Sequence, residues 1–213
     1  MRKLLGVWLT GFVIAAIVAP TVPVMEFNTD LSRILEPVGR QWPVIQLIWV
    51  VGGLPLTTLV VLYFASGRLG RRPRRWSIFW IFVGGSVVEL LVKHFVATPF
   101  PANVVPGSPY AQMIAWTNID PSTVFAWLAL WSHAPAVRHA SVGFLRGTFP
   151  SGHVFRITYA YGLLLKNFAF AALVAVAAFA VVATGGHWPW DAAGGFLLGA
   201  AGLTAVQKRR RYG

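Results

Sequence analysis

The stretch Ser77–Val96, SIFWIFVGGSVVELLVKHFV, decides the fold class of this chain. An α-helix needs about 20 mostly apolar residues to cross a bilayer core, and within this run only Glu89 and Lys93 carry a formal charge. The run therefore predicts a transmembrane helix. Glu89 and Lys93 are four residues apart, so they meet on one helix face. They are either functional groups or an ion pair that lowers the cost of insertion.

The composition extends this prediction to the whole chain. The 213 residues are 56% hydrophobic and 11% charged, whereas soluble domains are about 25% charged. A soluble fold of this length could not bury so much apolar surface, so we expect an all-α, polytopic membrane protein. Cysteine is absent from the sequence, which excludes disulfides, thiolate metal sites and a cysteine nucleophile.

Apolar runs predict six transmembrane helices in one domain, residues 1–213. The first run resembles a signal peptide, but it continues to about Met25 without a clean cleavage site, and we interpret it as an uncleaved span. The fourth and fifth runs are short and predict a hairpin that turns at Lys166–Asn167. The alternative is one continuous helix, which would separate His153 from His187. The six spans lie near Leu4–Val24, Val44–Ala65, Ser77–Val96, Gly152–Leu165, Phe168–Ala183 and Trp190–Val206.

The basic residues predict the orientation in the membrane. The net charge is +12, and of the 18 Lys and Arg residues 12 fall at the termini, at Lys166 or in the block GRLGRRPRRW, Gly67–Trp76. The other 6 fall on the opposite side. The positive-inside rule therefore places both termini in the cytoplasm. We expect the basic block to contact anionic lipid headgroups rather than nucleic acid.

Two segments are then expected outside the cytoplasm. One is the insertion at about 97–150, rich in Pro, Gly and aromatic residues, with a predicted helix that is capped by Asp120 and ends before Pro135. The other is EFNTDLSRILEPVGR, Glu26–Arg40, which predicts a short amphipathic helix capped at Asn28–Asp30. Its apolar face would hold Leu31, Ile34, Leu35 and Val38.

Two motifs place polar groups at predicted helix mouths: FPSGHVFR, Phe149–Arg156, and GGHWPWD, Gly185–Asp191. A helix N-terminus favours an anion, Gly152 permits close backbone approach, and Ser151 can cap or donate. Lys93 adds positive charge. His153 and His187 can act as nucleophile and proton donor, while Asp191 orients His187. Together they predict phosphoryl transfer without a metal or other cofactor. Zinc held by two histidines and Asp191 is a weaker alternative.

These motifs resemble those of the type 2 phosphatidic acid phosphatase family, the lipid phosphate phosphatases related to vanadium haloperoxidases. The family pattern combines Lys-x6-Arg-Pro, Pro-Ser-Gly-His and Ser-Arg-x5-His-x3-Asp. The resemblance implies that His187 attacks phosphorus, Asp191 orients it and His153 protonates the leaving oxygen. It also implies that Lys93, Ser151 and the Gly152 backbone hold the phosphate.

The chain departs from this pattern at both arginines, where it has Phe100 and Val181. Neither residue can replace a bidentate guanidinium. Arg156, one turn past His153, is the candidate substitute, with Arg146 as another basic residue nearby. The alternatives for Arg156 are pairing with Glu89 or extending outward to the membrane interface.

Two functions remain open from the sequence. The first is a lipid phosphatase of the cytoplasmic membrane that hydrolyses a lipid phosphate or an isoprenoid diphosphate at the outer leaflet. The alternative is a non-catalytic member of the same fold that binds lipid or a protein partner. In either case we expect a membrane-lipid ligand, no nucleic acid, and a possible homo-oligomer or larger membrane complex. Haloperoxidase activity is disfavoured by the missing arginines.

Overall fold

A computed structural model describes residues 2–41, 45, 47–67, 75–99, 101 and 147–212, and every extended regular element in these ranges is α-helical. The all-α prediction is therefore confirmed for this part of the chain. The helices are α1 Arg2–Val18, α2 Val22–Gln41, α3 Leu47–Val51, α4 Leu54–Ala65, α5 Trp76–Phe95, α6 Gly152–Gly162, α7 Asn167–Ala183 and α8 Pro189–Tyr212.

One helix in the described ranges, α5, is long and apolar enough to cross a membrane alone. Lys3–Val18 and Val22–Gly39 pass the same test together but are bent by 92°, while α4 and α7 are shorter apolar helices. Large apolar side chains on α1 and α5 are exposed, among them Ile17, Trp80 and Phe95. Apolar surface of this kind marks contact with lipid or protein.

Two predicted spans are interrupted. The first predicted span, Leu4–Val24, stops as a helix at Val18, and the chain then turns into α2. Pro20 lies in that turn, and proline cannot donate the backbone hydrogen bond that would continue α1. The second predicted span is broken between α3 and α4 at Gly52 and Gly53. The helix restarts with a proline in its first turn, where proline is tolerated.

The amphipathic helix predicted within Glu26–Arg40 is part of the longer α2. Asn28 is therefore inside the helix and is not its cap. It is buried, and its side-chain oxygen accepts a hydrogen bond from the Trp190 backbone at 3.0 Å. The predicted apolar face is split, because Leu35 packs against the core whereas Ile34 is 69% exposed.

The two motif histidines belong to a helical hairpin. α6 and α7 are separate helices that pack against each other, joined by residues 163–166. Asn167 has φ 54°, a left-handed conformation that asparagine adopts more readily than most residues. The hairpin prediction is confirmed for these residues, and the continuous-helix alternative is wrong. The prediction failed only in detail, since α6 ends at Gly162 rather than Leu165.

Close packing of α6 against α8 fixes the position of both motifs. A Cβ at Gly195 would collide with the Ser151 carbonyl, and one at Gly199 would lie 2.6 Å from the Thr158 Cβ. Glycine at these positions lets the two backbones approach. The Tyr159 hydroxyl also donates to the Ile78 carbonyl at 2.6 Å, which anchors α6 to α5.

The two ends of the predicted insertion meet at the end of α5. Thr98 Oγ1 accepts hydrogen bonds from the backbone N–H groups of Thr148, at 3.0 Å, and Phe149, at 3.1 Å. The insertion therefore leaves and rejoins the helical core at one place, next to the Phe149–Arg156 motif. Residues 102–146 lie outside the described ranges, so the extracytoplasmic insertion at 97–150 and its helix remain predictions.

Candidate functional site

The start of α6 joins the two motifs. Ser151 is the N-cap, and its Oγ accepts from the Val154 backbone N–H at 3.5 Å. The Ser151 N–H donates to the Asp191 carbonyl at 2.8 Å. This backbone hydrogen bond ties the Pro-Ser-Gly-His segment to the beginning of α8. The helix mouths predicted to share one level are therefore in direct contact.

His187, in the connection between α7 and α8, forms a buried pair with Asp191 in the first turn of α8. The His187 Nδ1 lies 3.2 Å from Asp191 Oδ2, and the side chains are 2% and 1% exposed. The Trp188 N–H donates to the same carboxylate oxygen at 3.0 Å. In neutral imidazole this arrangement places the proton on Nδ1 and the ring lone pair on Nε2. Nε2 is therefore the atom suited to nucleophilic attack.

Burial sets the charge of His187. The pKa of its imidazole lies below its ordinary value because burial disfavours the charged ring. The hydrogen bond and the negative charge of Asp191 act in the opposite direction but do not reverse the shift. His187 is therefore neutral at neutral pH, which is the protonation state a nucleophile requires.

Trp49 connects the two histidines. Its ring centroid is 4.2 Å from that of His153 and 6.3 Å from that of His187. Its indole N–H donates to Thr184 Oγ1 at 3.3 Å. Both histidines therefore lie in one cluster at one end of the helical core. The buried His153 Nδ1 has no hydrogen-bond partner among the described residues.

Three charged side chains are buried beside the histidines. The Lys93 ammonium is 2.8 Å from Glu89 Oε1, and the Arg156 guanidinium is 3.0 Å from Glu89 Oε2. The three side chains are only 10%, 8% and 5% exposed for Lys93, Arg156 and Glu89 respectively. Arg156 Nε also donates to the Gly52 carbonyl at 3.1 Å. Arg156 therefore pairs with Glu89 and does not extend outward to the membrane interface.

Gly152 brings this charged group to the mouth of α6. A Cβ at Gly152 would overlap the Glu89 carboxylate, so the carboxylate lies directly against the first residue of the helix. Gly152 thus fulfils the predicted close-approach role, but toward Glu89. Lys93, Ser151, Gly152, His153 and Arg156 are gathered around this point, and Ser151 links them to Asp191 and His187.

The position of the second missing arginine is apolar. Val181 is fully buried in a cluster with Val154 and Ile157. Its carbonyl accepts from the backbone N–H groups of Gly186, at 3.0 Å, and His187, at 2.9 Å. Val181 therefore supports the connection that carries His187. Phe100 and Arg146 lie outside the described residues.

Sequence reasoning missed two contributors, Trp49 and Gly52. Trp49 lies inside an apolar run where it resembles an ordinary core residue, and only tertiary packing brings it to the histidines. For Gly52 the available signal was its pairing with Gly53, since the two glycines end α3 and leave the Gly52 carbonyl open to Arg156. Across the described ranges, no three His, Cys, Asp or Glu side chains are grouped for a metal ion. The zinc alternative therefore has no three-ligand set there.

Comparison of the chain with protein-family models, with curated proteins and with solved structures found no match.

Proposed function

We propose that this chain is an integral membrane phosphatase that hydrolyses a lipid phosphate or an isoprenoid diphosphate through a phosphohistidine. The observation that carries the proposal is the buried His187–Asp191 pair, held in one cluster with His153 and two buried cations. A neutral imidazole oriented by a carboxylate beside positive charge is suited to attack on phosphorus.

The proposed reaction has two steps. His187 Nε2 attacks phosphorus, forming the P–N bond as the bond to the lipid oxygen breaks, and protonated His153 donates a proton to that oxygen. Water then attacks phosphorus, forming a P–O bond as the P–N bond breaks, while neutral His153 takes a proton from the water. Inorganic phosphate leaves, and His187 returns to its neutral form. Asp191 keeps the His187 ring oriented in both steps.

Positive charge for the phosphoryl oxygens would come from Lys93 and Arg156, with donors from Ser151 and the Gly152 N–H. Arg156 would take over part of the function that the resemblance assigns to the two missing arginines. Its buried position one turn beyond His153 and its shared partner with Lys93 support this assignment. No cofactor enters the proposed reaction.

The proposed setting is the cytoplasmic membrane, with six spans, cytoplasmic termini and the site opening outward. The apolar α5 supports a membrane location, since it meets the length and hydropathy of a span and exposes large apolar side chains such as Trp80, Leu91 and Phe95. The ligand would be a lipid of the outer leaflet. A homo-oligomer or larger membrane complex is compatible with the exposed apolar surface.

A second candidate function rests on a specific observation. Both cations are already paired with Glu89, and Val181 offers apolar surface in place of an arginine. This arrangement favours a non-catalytic protein of the same fold that binds lipid or a protein partner. The two functions differ in one measurable property, which is turnover of a lipid phosphate.

A vesicle assay tests the phosphatase. Purified chain is incubated with vesicles containing phosphatidate, phosphatidylglycerol phosphate or undecaprenyl diphosphate, and released phosphate is measured. We expect His187→Ala to abolish turnover, His153→Ala to lower it roughly 10²–10⁴-fold, and Asp191→Asn to lower it less. His94→Ala, on the outer part of α5, is the matched control and should retain activity. Turnover that survives His187→Ala would contradict the phosphohistidine, and no turnover of any substrate would favour the non-catalytic function.

A further inference from the structure

Glu89 stands between the two buried cations of the candidate site. One carboxylate oxygen contacts Lys93 at 2.8 Å and the other contacts Arg156 at 3.0 Å. A carboxylate that accepts from two separate cations through separate oxygens imitates the way a phosphoryl group is held. An acidic residue at a phosphate-binding point is unexpected, since its negative charge opposes a second anion.

The position of the carboxylate strengthens the parallel. It lies against Gly152, the first residue of α6, where a side chain on residue 152 would overlap it. Helix N-termini favour negative charge because their first N–H groups have no intrahelical acceptor. Glu89 therefore occupies the point where the helix mouth and both cations converge, which is also the point best suited to an external anion.

Because the three side chains are buried, the stability of this arrangement depends on the negative charge of Glu89. The three side chains are almost completely removed from solvent, and a buried cation without a partner is costly. Loss of the Glu89 charge would leave both cations buried without a compensating negative charge. Binding of an anion between them would restore the balance, so the carboxylate and an external anion are alternatives for the same cations.

We propose that Glu89 is a built-in counter-anion that holds Lys93 and Arg156 in the ligand-free protein and must be displaced by a phosphate-type ligand. The inference rests on the proposed function, because it concerns regulation of that same site. Glu89 thereby weakens the binding of a small free anion. A ligand that also gains binding energy from its lipid tail can displace the carboxylate more readily than inorganic phosphate can.

The test compares anion binding by full-length wild type, Glu89→Gln and Glu89→Asp in detergent micelles. Titration calorimetry with inorganic phosphate gives the affinity, and thermal unfolding with and without phosphate gives the stabilisation. The matched control is Asp30→Asn, which removes a carboxylate from an exposed ion pair with Arg33 at 3.6 Å. Short-chain phosphatidate against diacylglycerol distinguishes a lipid headgroup from free phosphate.

We expect Glu89→Gln to bind phosphate about tenfold or more tightly than wild type, the change that one competing charge-assisted contact would cause. Phosphate should raise its unfolding temperature more than that of wild type. Asp30→Asn should match wild type. Wild type should prefer phosphatidate over free phosphate by a larger factor than Glu89→Gln does. Phosphate affinity that is unchanged or weaker in Glu89→Gln would overturn the proposal.

If Glu89→Gln does not fold even in phosphate, Glu89→Asp decides, because it keeps the charge but shortens the reach to the two cations. Tighter phosphate binding in Glu89→Asp supports displacement, and unchanged binding overturns it. Failure of the phosphatase is recognised separately. If Glu89→Gln binds phosphate more tightly but wild type shows no turnover, the counter-anion is supported and the phosphatase is rejected. If wild type shows turnover but Glu89→Gln does not bind phosphate more tightly, the phosphatase is supported and the counter-anion is rejected.

Discussion

At the residue scale, the charged residues that stand out within apolar runs of the sequence are buried in the structure and paired with one another. Glu89, Lys93, Arg156 and Asp191 are all buried, with at most one-tenth of each side chain exposed. Each has a charged or hydrogen-bonding partner within 3.2 Å. Pairing of this kind is what permits ionised groups to be buried, because an isolated charge would be strongly destabilising.

The Arg156 pair gives a stability prediction. Arg156→Ala removes the contact with Glu89 and the hydrogen bond to the Gly52 carbonyl. Breaking a buried pair costs roughly 3–5 kcal/mol, so we expect a marked loss of stability in detergent unfolding experiments. Arg33→Ala is the control, because its pair with Asp30 is about three-quarters exposed and should be worth about 0–1 kcal/mol. Equal losses for the two variants would contradict a buried structural pair.

His187 gives a pH prediction. Its pKa in the folded protein lies below the unfolded value of 6.5 because burial disfavours the charged ring. The unfolded state therefore binds more protons below that pH, and stability is fully present above it and falls as pH decreases. We expect wild type to lose unfolding temperature between neutral pH and pH about 5. His187→Gln should lose less. Identical pH profiles for wild type and His187→Gln would refute this assignment.

Much of the candidate site was predictable residue by residue, because polar groups inside apolar runs are few. Lys93 was singled out as a charge inside an apolar run, and Ser151, Gly152, His153, His187 and Asp191 from their positions at helix mouths. The contact between Arg156 and Glu89 was one of two alternatives. Trp49 could not be predicted, since nothing local distinguishes an apolar tryptophan in the core from one that packs on two histidines.

At the element scale, the adjacent glycines Gly84 and Gly85 lie on an open face and a packed face of α5. A Cβ at Gly84 would meet nothing within 4 Å, whereas one at Gly85 would lie 2.5 Å from the buried Phe155 ring. We expect Gly84→Ala to stabilise α5 by about 0.5–1 kcal/mol through helix propensity. Gly85→Ala should destabilise by about 1–3 kcal/mol through overpacking. Unfolding measurements on the pair check this, and equal effects would mean that α6 does not pack closely there.

The helices were predicted more reliably than their ends. Hydropathy located α5 to within one residue at each end, because that run is uniformly apolar and a basic block precedes it. Hydropathy alone did not detect the turn after Val18 or the break at Gly52–Gly53, because the flanking residues remain apolar through both interruptions. Pro20 and Pro55 were the local signals, since proline interrupts a helix ladder or begins a new one.

At the scale of the whole molecule, α5 connects the basic block Gly67–Trp76 to the candidate site. Its first residue, Trp76, follows Arg75, whose N–H donates to the Ala65 carbonyl at the end of α4. Its last turn carries Lys93, in the site cluster. Twenty helical residues extend about 30 Å, so the distance between the two ends of α5 is close to the thickness of the hydrocarbon core of a bilayer. If the basic block is cytoplasmic, the candidate site lies toward the outer side.

Single-cysteine labelling tests this orientation, and the absence of native cysteine makes the labelling specific. Ser66→Cys reports on the basic end, because Ser66 directly follows α4. Phe27→Cys reports on the end of the molecule that holds the candidate site. Phe27 is 51% exposed on α2, and the side-chain oxygen of the neighbouring Asn28 accepts a hydrogen bond from the Trp190 backbone at the start of α8. In intact cells a membrane-impermeant maleimide should label Phe27→Cys and spare Ser66→Cys until the cells are opened. Labelling of Ser66→Cys alone from outside would invert the topology. The site would then face the cytoplasm, and a substrate of the outer leaflet would be ruled out.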